Sequence, residues 1–144
     1  MPPSNPPDSV LRQLLADATT IAMVGASSNP MKPSHAIMRR LQDAGYRVIP
    51  VNPKEAEILG ERSYASLLDV PERIDIVDVF RRAEDTPSIA DDAVTIGAKA
   101  LWLQLGIANE DAAARAKAGG LIVVMNTCIG RTVAALGVRA HVAG

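Results

Sequence analysis

Thr20-Ile21-Ala22-Met23-Val24-Gly25-Ala26-Ser27-Ser28-Asn29-Pro30 is the stretch whose reading decides the fold: an apolar run, then a glycine, small hydroxylated residues and a proline. A short run of this kind, rich in β-branched side chains and bounded by turn residues, reads as a buried strand. Just beyond it, residues 34–44 place Ile37, Met38 and Leu41 on one helical face. Working outward, the same alternation recurs. Strand-like runs stand at residues 47–51, 74–80, 100–103 and 121–125, and helix-like stretches at 86–96 and 109–118, the last opened by Asn109 as a cap.

Five strands separated by crossovers imply parallel pairing and right-handed connections. The expected architecture is therefore a three-layer, Rossmann-like α/β domain with a doubly wound, parallel, five-stranded sheet. Residues 54–73 break any period and suggest a short strand or turn plus one helical turn near 64–68. Four prolines among the first seven residues predict a flexible tail over 1–7 and a single domain over 8–144. Asp8 or Ser9 is expected to cap a short helix carrying Val10, Leu11, Leu14 and Leu15.

Composition narrows the function. Fifteen Lys and Arg against sixteen Asp and Glu leave a net charge of -1, without the basic excess of a duplex-binding protein. Aromatic residues make up 3% of the 144, too few for a single-strand stacking platform, so nucleic acid is not expected as a partner. No apolar run approaches the roughly 20 residues of a membrane helix, and the start lacks the order of a signal peptide. One cysteine, Cys128, offers no internal disulfide, and a reducing cytoplasm is the expected compartment. No metal site is expected. A homo-oligomer or a protein partner stays open.

In an open parallel sheet, ligands sit beyond the carboxyl ends of the strands, where the strand order reverses. That rule selects Gly25, Ala26, Ser27 and Ser28 with Lys32 after the first strand, a turn suited to a diphosphate near a helix N-terminus. The second and third glycines of the dinucleotide pattern are absent, Ser27 and Pro30 standing in their places. The second strand ends in Asn52, Pro53 and Lys54, neutral where a nicotinamide dinucleotide site has an acidic residue. The third ends in Phe80 and Arg81: the ring lies against a heterocycle or in the core, and the guanidinium suits phosphate. Asp75 and Asp78, three apart, fall on opposite faces of that strand, which argues against paired-carboxylate chemistry. The fourth strand brings Trp102, Gln104 and Gly106 near the crevice, and the fifth ends at Asn126 and Cys128. A Cys128 pair with His35 is geometrically conceivable, though a buried inert thiol is the commoner fate.

Together Met23-Val24-Gly25-Ala26-Ser27, Val48-Ile49-Pro50-Val51-Asn52-Pro53, Ile58-Leu59-Gly60-Glu61, Asp75-Ile76-Val77-Asp78-Val79-Phe80-Arg81, Trp102-Leu103-Gln104-Leu105-Gly106 and Met125-Asn126-Thr127-Cys128 carry a resemblance. The chain resembles the small stand-alone CoA-binding proteins, which hold only the Rossmann-like domain found at the start of the succinyl-CoA synthetase α subunit. The resemblance implies coenzyme A, free or acylated, laid across the strand ends. It would set Gly25, Ala26, Ser27, Ser28 and Lys32 at the phosphates, Asn52, Pro53 and Lys54 at the nucleotide end, Phe80 and Arg81 on the third strand's side, and Gln104 and Gly106 at the diphosphate or pantetheine. A ligase of that kind needs a phosphohistidine domain and a nucleotide-grasping subunit, so binding without turnover and no catalytic residue are expected. Two alternatives stand beside it: a redox or sensor protein joining Cys128 to the CoA thiol in a mixed disulfide, and a small NAD(P)-binding module.

Overall fold

A computed structural model of the chain describes residues 5–141. Its frame is a five-stranded sheet of β1 (Thr20–Val24), β2 (Arg47–Val51), β5 (Ile76–Val79), β6 (Ala100–Leu103) and β7 (Ile122–Val124). They run in the order β2-β1-β5-β6-β7, every pair parallel. The order reverses between β1 and β5, so the switch point lies there. A two-stranded hairpin, β3 (Glu57–Ile58) with β4 (Glu61–Arg62), and a 3-10 turn at Leu67–Asp69 fill the stretch after β2.

Two cores flank the sheet because side chains alternate along each strand. One face carries Ile21, Met23, Ile76 and Trp102 under α1 (Asp8–Asp17), α2 (Pro33–Asp43) and α5 (Ile129–Leu136). The other carries Ala22, Val77, Leu101 and Val123 under α3 (Thr86–Thr95) and α4 (Glu110–Ala118). These are the three layers expected from the alternation of strands and helices. Ala90, Ala93, Ala112, Ala113 and Ala116 are all nearly or fully buried, and such short side chains let α3 and α4 pack closely. No helix among the described residues is long and apolar enough to cross a membrane.

Three local readings change. The cap of α1 is Pro7, in an extended conformation, whose carbonyl accepts from Val10 N (2.9 Å) and Leu11 N (3.1 Å); Asp8 is already inside the helix. α5 was not foreseen, since Cys128 caps it without a side-chain hydrogen bond and Gly130 sits in its first turn. The first four residues of the expected tail lie outside the described residues. Asn5 is tied down: Nδ2 donates to the Met125 carbonyl at 2.8 Å, and Oδ1 accepts from Met125 N at 2.9 Å.

Candidate functional site

Backbone hydrogen bonds carry the sheet past its strand ends and fix where each loop leaves. Gly25 N donates to Val51 O (3.1 Å), Phe80 N to Val24 O (2.8 Å) and Gln104 N to Val79 O (3.3 Å). Gly25 turns with φ 94°, and a Cβ there would run into the Phe80 carbonyl. Only glycine lets the loop after β1 pass this close to the end of β5.

Three adjoining hollows cross these ends. The central one, about 360 Å³, is lined by Gly25, Ala26, Ser27, Lys32, Pro33, Ser34, Asn52, Pro53, Lys54, Phe80 and Arg81. Toward α3 it shares Gly25, Pro53 and Arg81 with a hollow of about 320 Å³ that reaches Leu67, Ser88 and Ile89. Toward α5 it shares Pro33 and Phe80 with a third, about 460 Å³, walled by Ala36, Ile37, Leu105, Ile107 and Cys128, with Arg40 and Arg131 among its residues. The result is one groove with a basic, hydroxyl-rich middle and an apolar end. The first turn of α2, with Pro33 at N1, borders the middle through Lys32, Pro33 and Ser34, so the positive end of the helix dipole lies beside it.

The strand-end rule therefore brought nine of the expected residues into one place: Gly25, Ala26, Ser27, Lys32, Asn52, Pro53, Lys54, Phe80 and Arg81. Ser28 stands beside them and is bound by a residue the sequence did not single out. Glu55 accepts from Ser28 N at 3.0 Å and from the Ser28 hydroxyl, and these bonds, the hydroxyl's foremost, hold its carboxyl below the usual carboxylate range. A carboxylate thus rests on the donors an anionic ligand would meet. Asn52 serves as a brace, with Nδ2 donating to Ala26 O (2.9 Å) and Oδ1 accepting from Lys54 N (2.8 Å). Arg81 keeps only a loose pair with Asp85 at 3.4 Å across an exposed surface. Lys32 and Lys54 have no carboxylate partner among the described residues.

The β6 end requires correction. Trp102 is 0% exposed and touches no groove; its indole Nε1 donates to Thr127 O at 2.9 Å. Residues 102 and 104 share a face by alternation, and that face turns inward under α5. Gln104 is 3% exposed and borders the apolar hollow, but its amide is spent inside: Nε2 donates to Asp78 Oδ1, and Oε1 accepts from Ile129 N at 3.3 Å. Gly106 and Asn126 line none of the three hollows and bind each other, Gly106 N donating to Asn126 Oδ1 at 2.7 Å. Cys128 is half-buried at the apolar end, and no hydrogen bond joins it to His35.

Asp75 and Asp78 do not meet. Asp75 lies at the opposite, amino end of the strands, accepting from Thr19 N (2.9 Å), Thr19 Oγ1 (3.1 Å) and Thr20 N (3.1 Å). A hollow of about 470 Å³ there, beside Asp17, Lys99 and His141, is far from the loops, and its most buried carboxylate is already satisfied. Asp78 is wholly buried; burial pushes its carboxyl up to about 8, against the pull of the Gln104 hydrogen bond, and Oδ2 has no partner among the described residues.

Comparison with known proteins agrees with this geometry. The CoA binding domain family matches residues 19–134. Protein YneT of Bacillus subtilis, itself uncharacterized, is 40% identical over 125 residues, 87% of this chain and 93% of that one. The α subunit of an ADP-forming acetate–CoA ligase from Pyrococcus furiosus is 32% identical over 93 residues, and those span 60% of this chain but 20% of the subunit. Among solved structures, a hypothetical protein from Pyrococcus horikoshii superposes with a TM-score of 0.90 at 38% identity, covering 94% of this chain and 96% of that one. A dinucleotide-forming acetyl-coenzyme A synthetase of Ca. Korarchaeum cryptofilum superposes at 0.71 with 27% identity, over 79% of this chain and 27% of its own. With a groove at the switch point and a family match over most of its length, the chain belongs to the CoA binding domain family.

Proposed function

We propose that the groove binds coenzyme A or an acyl-CoA across the β1 and β5 ends and does so without turning it over. The observation that carries this reading is the groove's polarity: Lys32, Lys54 and Arg81 with the α2 N-terminus in the middle, and an apolar end closed by Ile37, Leu105, Ile107 and Cys128. Coenzyme A has that polarity, a multiply anionic nucleotide continued by an uncharged arm that ends in a thiol. The diphosphate would face Ser27, Ser28 and the α2 amides, the nucleotide would extend toward Leu67 and Ile89, and the arm would run past Phe80 to Cys128. Isothermal calorimetry with CoA and with 3'-dephospho-CoA tests it. Binding of CoA is expected, weaker without the 3'-phosphate; no heat at millimolar CoA sinks the reading, and tighter binding of NAD than of CoA favours the dinucleotide module instead.

The half-buried thiol at the apolar end supports a second reading, in which Cys128 and the CoA thiol form a mixed disulfide. The two thiols lose two protons and two electrons between them, and an oxidant such as peroxide takes these up as water. Intact mass after peroxide treatment with CoA decides it, since the adduct adds one CoA less two hydrogens and a reductant removes it.

A further inference from the structure

Two buried side chains, Trp102 on β6 and Gln104 just past its end, hold the start of α5. Trp102 Nε1 donates to Thr127 O at 2.9 Å, and Gln104 Oε1 accepts from Ile129 N at 3.3 Å. Cys128 lies between those two anchor points, on the wall of the apolar hollow. An amide such as Gln104 can present either its oxygen or its nitrogen to Ile129 N, and only the oxygen satisfies that donor. Asp78 makes the choice. Its carboxyl oxygen Oδ1 accepts from the Gln104 N–H group, which turns Oε1 toward α5. Asp78 itself is 0% exposed, its strand neighbours in register are Met23 and Trp102, and it lines none of the hollows of the groove. A buried carboxyl with one oxygen unpartnered among the described residues is costly, and making Asp78 alone apolar would also strip the buried Gln104 amide of its acceptor.

We propose that Asp78 is a positioning residue for the thiol end of the groove: through Gln104 it fixes the first turn of α5, and with it Cys128 and the pocket wall, without touching the ligand. This rests on the CoA reading for its ligand but not for its geometry. Losing Asp78 frees the Gln104 amide to turn, leaves Ile129 N without its acceptor and lets the α5 start drift. The nucleotide half of the site, built on Gly25, Lys32 and Lys54, is held by other bonds.

The test uses Asp78→Leu, Gln104→Met and Asp78→Asn, each titrated with CoA and with adenosine 3',5'-bisphosphate, which lacks the pantetheine arm. Asp78→Leu and Gln104→Met should weaken CoA roughly tenfold, the size of one lost buried hydrogen bond, while the bisphosphate binds as to wild type. Retained bisphosphate binding also shows that the variants fold. Asp78→Asn keeps an acceptor oxygen for Gln104 and should restore wild-type CoA affinity. In parallel, the rate of Cys128 alkylation by iodoacetamide is measured without ligand: it should change several-fold in Asp78→Leu and Gln104→Met and stay unchanged in Asp78→Asn. Equal weakening of both ligands, or CoA affinity and alkylation unmoved in the Leu and Met variants, overturns the assignment. A wild-type chain that binds no CoA defeats the functional reading, and the alkylation series then decides the positioning role alone.

Discussion

At Asp78 the chain accepts a stability penalty whose pH dependence can be worked out. An ordinary aspartate ionises near 3.8, and burial raises this one to about 8 in the folded state. The folded protein therefore holds a proton that the unfolded chain releases. Below the unfolded value both states are protonated and the group costs nothing; as pH rises toward 8 the unfolded state gains by ionising, and stability falls. Above about 8 both states are ionised and the loss levels off. Asp78→Asn removes the titration, so its stability relative to wild type should climb steadily between pH 4 and 8 and then flatten. Urea midpoints across that range check it, and a difference independent of pH would place the Asp78 carboxyl in contact with water. The same residue marks what could be seen beforehand. Its spacing from Asp75 correctly separated the two carboxylates, because alternation is a local rule; that it grips Gln104 depends on a neighbouring strand, which no local pattern carries.

Among the elements, the strands were the most legible and α5 the least, for one physical reason. β1, β2, β5, β6 and β7 are buried along most of their length and advertise themselves as apolar runs, with Asp78 inside β5 and Thr20 and Arg47 at the starts of β1 and β2 as the polar exceptions. α5 follows a cysteine that offers no capping side chain, and its first turn holds Gly130, a poor helix former. Gly130 is there for packing: a Cβ built on it would stand 2.9 Å from Ile37 Cδ1 and 3.2 Å from Arg40 Cδ, both on α2. The nearer atom is the end of the flexible Ile37 side chain and the other lies on the flexible stem of Arg40, so Gly130→Ala should be close to neutral, the gain in helix propensity of up to ~1 kcal/mol offsetting a small shift of Ile37. Gly130→Val adds two more carbons to a gap that has no room and should cost about 1–3 kcal/mol while pushing α5 off α2. Ile37, Arg40 and Cys128 share the apolar hollow, so the Val variant should also lose CoA affinity. Chemical denaturation and calorimetry on the pair read both effects; a Val variant as stable as Ala would show that the α2 contact is loose. Trp102 was misplaced for a related reason. A strand end near a crevice presents one face to the ligand and the other to the core, and which is which depends on where α5 lies.

Across the whole molecule the net charge of -1 conceals a separation. Lys32, Lys54 and Arg81 gather around the central hollow at the carboxyl edge of the sheet, whereas Asp17, Glu72 and Asp75 stand around the hollow at the amino edge with Arg73 and Lys99. A nearly neutral chain can thus hold a strongly anionic ligand because its field is local. Exposed charges in such a groove act through solvent, and salt screens them over a Debye length of about 10 Å at 0.1 M. CoA affinity should therefore fall as salt rises from about 0.05 to about 0.5 M, and Lys54→Gln should weaken binding about three- to tenfold at the lower concentration. Because the missing charge matters less once screened, wild type and variant should converge at high salt. Glu55 supplies the internal control. Its carboxylate occupies the Ser28 donors, so Glu55→Gln removes a negative charge beside the proposed phosphate path and should shift affinity opposite to Lys54→Gln, with the same salt dependence. Two variants moving in opposite directions at low salt and meeting at high salt identify the middle of the groove as an anion site. If Lys54→Gln has the same effect at every salt concentration, Lys54 acts by direct contact or packing rather than through its field.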